Sequence, residues 1–377
     1  MMNIAAGAPS GATSIGPGRE VTVVESRATR TRMGGGCARL ARLASVIAVV
    51  AGCGSSNDDA LEGRGGAAGL GGQSGGSSGA GQSGASARGG VSGTGGTIDC
   101  EGTNRKLVTD ELRVGALTAD EEALFFTVLT DSDRPIGSVR VMDRRSETIN
   151  TLSQVEHPIG LALTAENIVW SVERPGYLGV LPRSGGVLQR VNYGRAPYAL
   201  SALGDAAYFA YQDAMPALYR LDDGMEEPTL IVDGDVQPIY VLPSESGLLF
   251  FDASSRELKA HSATEGITTI ATFSEIPSAM TADDEAVVWW EGGELVWLNR
   301  ESGERLTLAG EEDVPRAVQL HDGSVFWISG SQVRQSSPED ETPSVLVSCS
   351  VAVGAMAFVA DTAFVAAGSE IFEVELP

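Results

Sequence analysis

The sequence is poor in histidine and in positive charge, and both shortages limit what the protein does. It has three histidines in 377 residues, and 26 lysines and arginines against 50 aspartates and glutamates, which gives a net charge of −24. This balance argues against a nucleic acid partner, because the phosphate backbone attracts a basic face and repels an acidic one. Six arginines and two glutamates lie in residues 1–53, so the remainder carries a net charge of −28. Such acidity is also sufficient to keep an extracytoplasmic protein soluble.

The apolar run near the amino terminus is too short for a permanent membrane helix. It covers residues 43–51 and follows Arg39 and Arg42, whereas a spanning helix needs roughly 20 apolar residues. A basic region followed by a short apolar run is typical of an export signal. We therefore predict a signal peptide over residues 33–53. Residues 1–32 fit no part of a signal and are interpreted as an over-extended start or an unstructured segment.

The end of this run, Val50-Ala51-Gly52-Cys53, resembles the lipobox of bacterial lipoproteins. The resemblance implies that Cys53 becomes the first mature residue and is anchored to a membrane by its lipids, palmitate among them. A simple secretory signal with a chance cysteine is the alternative. Because Gly54 rather than an aspartate follows Cys53, the resemblance also implies a location at the outer membrane or cell surface.

Residues 54–99 consist mainly of glycine, serine and alanine, as in "GGQSGGSSGAGQSG". A segment of this composition cannot bury enough apolar surface to offset its chain entropy. We predict a disordered tether over residues 54–99 that precedes a folded domain over residues 100–377.

A repeat runs through the chain from Cys100 onward, and two markers show it. Apolar triplets, each with an aromatic residue, end at residues 126, 170, 209, 251, 290, 327 and 365, which are 37 to 44 residues apart. A second series, Pro158, Pro197, Pro238, Pro277 and Pro315, is spaced 38 to 41 residues apart. Two markers with one period indicate a structural repeat.

One unit, residues 278–315, shows the content of the repeat. Four short runs, 278–281, 286–290, 294–298 and 305–308, are separated by turn sequences such as Asp283-Asp284 and Gly292-Gly293. Four short antiparallel strands in about 40 residues are the content of one β-propeller blade. The triplet is apolar on successive residues, which fits a second strand that neighbouring blades cover on both faces.

The two ends of the repeat region complement each other. The unit that begins at Val353 supplies three strands, and "RKLVTDEL" at residues 105–112 matches the fourth strands of other units. Because an unpaired sheet edge invites association, we predict that residues 106–112 form the outer strand of the last blade and pair with residues 371–376. The predicted fold is all-β, a single seven-bladed β-propeller.

The repeat length and the aromatic second strand resemble seven-bladed propellers of the YWTD, NHL and YVTN kind in bacterial surface lipoproteins. The YWTD tetrapeptide itself is absent, and "LFFT", "IVWS" and "VWWE" stand in its place. The resemblance therefore implies an architecture and not the function of one family.

Signs of catalysis are few. By repeat phase, His157, His261 and His321 fall in a loop between blades, a third strand and a turn, so they do not converge on a metal or a nucleophile. Residues 100–377 contain no G-x-S-x-G elbow and no P-loop. We predict no catalytic residues and no cofactor, and a site for a divalent cation such as Ca²⁺ stays open.

The four cysteines divide by location. Cys37 leaves with the signal and Cys53 takes lipid, so Cys100 and Cys349 remain as an even pair in an oxidising compartment. We predict a disulfide between them, with two separate thiols as the alternative. The bond requires residues 100–105 to fold back, because the two positions otherwise lie towards opposite rims of the propeller.

Carboxylates recur at two positions of the repeat that share one rim, just after the second strand and between blades. The predicted acidic binding rim consists of Asp131, Asp133, Glu173, Asp213, Asp233, Asp235, Asp252, Glu275 and Glu291. Clustered oxygens suit Ca²⁺, and a face of one sign attracts opposite charge. An ordinary solvated acidic rim is the alternative.

The leading functional hypothesis is a non-enzymatic, lipid-anchored and monomeric propeller that binds a protein, peptide or glycan through this rim. Two alternatives stay open. One is a hydrolase or lyase with a metal-dependent site in the central channel, and the other is a structural cell-envelope protein without a specific ligand.

Overall fold

A computed structural model describes residues 98–109, 113–130, 136–192, 197–211, 216–234, 236–310, 313–340 and 342–377. Cys53, the signal peptide and nearly all of the tether lie outside these residues, so they stay predictions. The part of the chain that the structure describes contains no helix long and apolar enough to cross a membrane.

The described residues form strands joined by turns and loops. In chain order the strands are β1 (Cys100–Glu101), β2 (Arg105–Thr109), β3 (Arg113–Ala119), β4 (Ala123–Leu129), β5 (Ile136–Asp143), β6 (Ile149–Glu156), β7 (Pro158–Leu163), β8 (Asn167–Val172), β9 (Tyr177–Pro182), β10 (Gln189–Asn192), β11 (Pro197–Leu203), β12 (Ala206–Tyr211), β13 (Ala217–Asp222), β14 (Thr229–Val232), β15 (Pro238–Ser244), β16 (Gly247–Asp252), β17 (Glu257–Ser262), β18 (Gly266–Thr272), β19 (Ala279–Ala282), β20 (Ala286–Glu291), β21 (Glu294–Asn299), β22 (Arg305–Gly310), β23 (Val318–His321), β24 (Ser324–Ser329), β25 (Gln332–Ser336), β26 (Ser344–Cys349), β27 (Val353–Val359), β28 (Thr362–Ala367) and β29 (Glu370–Glu375).

These strands form seven antiparallel sheets, which are the blades. In blades 1 to 6 the strands follow chain order from the inner strand A to the outer strands B, C and D, beginning with β3 in blade 1 and ending with β26 in blade 6. The inner strands of blades 1 to 6 lie side by side in order, β27 of blade 7 contacts β24 of blade 6, and β27 lies beside β3 of blade 1. The chain therefore closes into the seven-bladed propeller that the repeat predicts.

The core is divided among the interfaces between blades. Seven hydrophobic clusters occur, one at each interface. Strand β20 shows why its side chains are apolar in succession: Val288 and Trp290 pack towards blade 6, whereas Val287 and Trp289 pack towards blade 4. Side chains alternate between the two faces of a strand, and both faces of this strand meet a neighbouring blade.

The amino-terminal strand closes the last blade. Strand β2 pairs antiparallel with β29, from Arg105 opposite Glu373 to Thr109 opposite Glu370. The predicted pairing is confirmed, with the strand beginning one residue earlier than predicted and residues 110–112 outside the described part. The Lys106 ammonium donates to Glu370 Oε1 at 3.0 Å, which adds an ion pair to the ladder.

A further strand, which sequence reasoning missed, extends blade 6. Strand β1 pairs antiparallel with β26, and this makes a five-stranded sheet. Gly102 follows β1 at φ +85°, and a Cβ there would lie 2.3 Å from the Leu346 carbonyl oxygen. Only glycine fits this close approach. Residues 98–109, which we call the strap, thus run along blade 6 before they turn back along blade 7.

This fold-back brings the two remaining cysteines together. Cys100 lies directly opposite Cys349 in the β1–β26 pair, and their sulfur atoms form a disulfide with the Cα atoms 4.0 Å apart. The disulfide joins the strap to blade 6.

The double substitution Cys100→Ser/Cys349→Ser is expected to lower the free energy of unfolding by about 2–5 kcal/mol. The crosslink spans a sequence separation of 249 residues, and a long closed loop constrains the unfolded chain strongly. Urea unfolding of the folded domain measures the loss. Dithiothreitol should shift the wild-type midpoint by the same amount and leave the double variant unchanged. An unmoved wild-type midpoint in reductant would contradict the expectation.

Candidate functional site

Each face of the propeller ring presents one set of connections. Because successive strands are antiparallel, the B-to-C and D-to-A connections meet on one face, which we call the D–A rim. The A-to-B and C-to-D connections meet on the other, the C–D rim. On the D–A rim of blade 2, the Glu173 N–H after strand B donates to the His157 carbonyl before strand A, at 3.1 Å.

The predicted acidic rim is described in part. Asp131, Asp133, Asp213 and Asp235 lie outside the described residues, so their binding role stays a prediction. The other five carboxylates lie at the end of strand B or between strands D and A, as the repeat phase indicates. They differ in exposure: Asp233 and Glu275 are exposed, Glu173 and Glu291 are half-buried, and Asp252 is buried.

Asp252, at the end of β16, is enclosed by donors. Its Oδ1 accepts hydrogen bonds from the Gln237 N–H at 2.8 Å and the Ser254 hydroxyl at 2.7 Å. Its Oδ2 accepts from the Ser255 hydroxyl at 2.9 Å and the Lys259 ammonium at 2.5 Å. Burial alone would raise the pKa of Asp252, but these hydrogen bonds, led by that of Lys259, outweigh burial and hold the pKa well below its usual range. This carboxylate fastens the rim internally and does not face a partner.

Carboxylates in two other blades also contact the connection that precedes strand A. In blade 5, Glu291 Oε1 accepts from the N–H and the hydroxyl of Ser274, both at 2.8 Å. Burial opposes the ionised form of Glu291, yet the Ser274 hydroxyl and the neighbouring N–H groups lower its pKa. In blade 2, Glu173 Oε2 lies 2.5 Å from His157 Nδ1. In these three blades a carboxylate at the end of strand B, or directly after it in the case of Glu173, contacts the connection that precedes strand A.

The exposed part of the D–A rim carries an aliphatic feature that sequence reasoning missed. Ile276 is 50% exposed and Val314 is 64% exposed, on the connections into blades 5 and 6. Each follows an exposed carboxylate, Glu275 or Asp313, and precedes a buried proline. The signal was present in the sequence as Glu275-Ile276-Pro277 and Asp313-Val314-Pro315, two acid–aliphatic–proline triplets at one repeat phase.

The histidines lie apart in the fold. His157 is in a D-to-A connection, His261 is in β17, and His321 ends β23 with its Nε2 2.7 Å from the Ala360 carbonyl oxygen. Among the described residues, no group of three or more histidine, cysteine, aspartate or glutamate side chains is placed to hold a metal ion. Ca²⁺ binding at the rim stays a prediction.

Solved structures with the same fold define the class as the seven-bladed β-propeller. The chain is similar to a streptogramin B lyase, with 14% identity, a TM-score of 0.57, and coverage of 74% of this chain and 98% of the other. It is also similar to virginiamycin B lyase from Staphylococcus aureus, with 11% identity, a TM-score of 0.57, and coverage of 74% and 99%. The WD40 repeats of RRP9 match with 11% identity, a TM-score of 0.56, and coverage of 74% and 100%.

Similarity at these identities concerns the fold alone. Lyases and WD40 proteins share this architecture, which is compatible with a binding or scaffold role and specifies none. No protein-family model matches the chain, and no curated protein matches it.

The substitution Asp252→Asn is expected to lower the free energy of unfolding at pH 7 by about 3–5 kcal/mol, the usual cost of breaking a buried ion pair. Because the pKa of Asp252 is lowered by folding, its contribution is complete above the unfolded pKa of about 4 and is lost as the pH falls towards the folded pKa. The difference between wild type and variant should therefore narrow below about pH 4.

Urea unfolding at several pH values measures this difference. Asp233→Asn is the matched control, since Asp233 is exposed on the same rim, and it should change stability by less than about 0.5 kcal/mol. Equal losses for the two variants would contradict the structural role of Asp252.

Proposed function

We propose that the chain is a lipid-anchored, extracytoplasmic binding or scaffold propeller that docks a protein or peptide on its D–A rim. The observation that carries the proposal is the pair of exposed acid–aliphatic units, Glu275-Ile276 and Asp313-Val314, on neighbouring connections of one rim. Exposed apolar side chains bordered by charge are a mark of protein interaction surfaces. Repetition at one phase sets the two units side by side.

The charge of the chain indicates the kind of partner. Residues 54–377 carry a net charge of −28, and an acidic face attracts a partner with a basic face. Aliphatic side chains between the carboxylates favour a protein or peptide over a glycan, because they contribute through burial of apolar surface. A basic protein surface with apolar side chains at its centre fits these observations.

The membrane attachment in this proposal comes from the sequence. Cys53 ends a lipobox-like stretch, and the tether of residues 54–99 gives the propeller reach from a membrane. With about 45 residues, a glycine-rich coil has a root-mean-square span of roughly 35–40 Å. Such a span would hold the propeller clear of the lipid headgroups.

The lyase alternative has less support. Lyase activity belongs to the two similar proteins named above, and their likeness to this chain is one of fold. No feature of the described residues favours a particular substrate or reaction, so the binding role is the stronger proposal.

Site-specific photo-crosslinking tests the rim in the native cell envelope. A photoreactive residue at position 276 or 314 should give adducts of discrete mass, and one at position 264 should give none. Thr264 is the control because it is exposed in a C-to-D loop, on the other rim. Glu275→Lys/Asp313→Lys should reduce the adducts severalfold, since it reverses the charge beside both aliphatic residues. If adducts are absent, or equal at all three positions, the D–A rim is an ordinary solvated surface and the docking proposal is wrong.

Metabolic labelling with a palmitate analogue tests the anchor separately. Wild type and Cys37→Ala should be labelled, and Cys53→Ala should not, because the lipobox resemblance assigns the acylated thiol to Cys53 alone. Cys37 is the matched control, since it lies within the predicted signal peptide. Equal labelling of wild type and Cys53→Ala would contradict the lipoprotein part of the proposal. It would not bear on the proposed docking at the D–A rim.

A further inference from the structure

A cavity of about 650 Å³ opens on the C–D rim between blades 2 and 3. The A-to-B turn of blade 2 and the facing C-to-D loops of both blades form its walls. Cavities of this size hold small ligands or single side chains of a partner. The cavity lies on the opposite face from the acid–aliphatic units of the D–A rim.

The mouth of the cavity is apolar on both sides. Val187, on the loop of blade 2, is 87% exposed, and Met225, on the loop of blade 3, is 55% exposed. Both line the cavity, together with the buried Val180 and Leu221. Two exposed apolar side chains on loops of neighbouring blades therefore offer apolar contact to an aliphatic chain in the cavity.

The charge of the lining is negative. Glu166, Asp222, Asp223 and Glu226 line the cavity against one cation, Arg183, for a formal charge of −3. The Arg183 guanidinium is already paired with Asp120 of blade 1, and its Nη1 also donates to the Thr164 carbonyl of the cavity wall at 3.4 Å.

Two of the four carboxylates have structural partners. Asp223 fastens blade 3 to blade 2, since it accepts from the Thr164 hydroxyl at 2.5 Å and the Asn167 amide at 2.6 Å. Asp222 pairs with Arg220 at 2.5 Å. Glu166 of blade 2 and Glu226 of blade 3 are exposed in the lining, so they supply the negative charge that a ligand can reach.

We propose that this cavity binds the lysine side chain of an extended partner peptide. The methylene stem of a lysine packs along apolar surface while its ammonium stays at the polar edge, which matches Val187 and Met225 beside Glu166 and Glu226. A peptide is preferred to a free diamine because Val187 and Met225 also offer contact to the residues that flank the lysine. This site is independent of the proposed docking on the D–A rim.

Titration with acetyl-Ala-Leu-Lys-Leu-Ala-amide, followed by the ¹³C-methyl resonance of Met225, tests the proposal. The peptide should shift this resonance saturably, and its norleucine analogue should not. Glu166→Gln/Glu226→Gln should weaken binding at least about ten-fold, the effect of losing roughly 1.4 kcal/mol.

The control variant is Glu122→Gln/Glu265→Gln, which removes two exposed carboxylates from the same rim. Glu122 is the repeat equivalent of Glu166, because their carbonyls accept from Arg144 N–H and Arg183 N–H at 2.9 and 2.8 Å. This variant should bind within roughly two-fold of wild type.

Three results would overturn the proposal. They are an unshifted Met225 resonance at about 10 mM peptide, undiminished binding by Glu166→Gln/Glu226→Gln, and equal binding of the norleucine peptide. Binding of 1,5-diaminopentane as tightly as the lysine peptide would overturn the peptide as the occupant.

Discussion

The two ends of the sheet ring must meet, and the pairing of β2 with β29 is the contact on which the rest of the propeller depends. Without it, the outer edge of β29 would be unpaired and open to association. The strap touches three blades: β1 pairs in blade 6, β2 pairs in blade 7, and Arg105 Nη1 donates to Glu147 Oε1 of blade 1 at 2.7 Å. Cys100 and Val108 also enter the hydrophobic clusters at the two interfaces of blade 7. One short segment thus supplies hydrogen bonds, a disulfide and core contacts to the closure.

The carboxylates show how one chemical group serves two purposes in this fold. Asp252 is buried, and its hydrogen bonds offset the free energy that the carboxylate loses when it leaves water. Hydrogen bonds to a charged group contribute about 1.5–3 kcal/mol each. Glu275 and Asp313 lie at nearby positions on the same rim, yet they remain exposed beside Ile276 and Val314. Side chains of one type at neighbouring phases of the repeat therefore differ in exposure, and even the exposed Glu275 accepts a hydrogen bond from the Gly292 N–H at 2.7 Å.

The sequence repeat predicted the positions of the strands within a blade. The four strands of residues 278–315 appear as β19 to β22 with shifts of one or two residues at their ends, because apolar triplets and glycine turns mark strands directly. The exposure of the carboxylates in the predicted acidic rim could not be predicted from the sequence. Repeat phase assigns Asp252 to the end of strand B, but the direction of its side chain depends on Gln237 and Lys259, which only the folded blade brings together.

The sequence by itself determined the number of blades, the strand that closes the ring and the rim to which each loop belongs. All three follow from the sequence repeat of about 40 residues. Only the tertiary structure decided that residues 98–109 fold back to join Cys100 to Cys349, and that a cavity opens between blades 2 and 3. The physical reason is the same in both cases. Periodicity specifies which residues belong to a blade, whereas contacts between blades depend on side-chain shape and close approach, such as the backbone at Gly102 against Leu346.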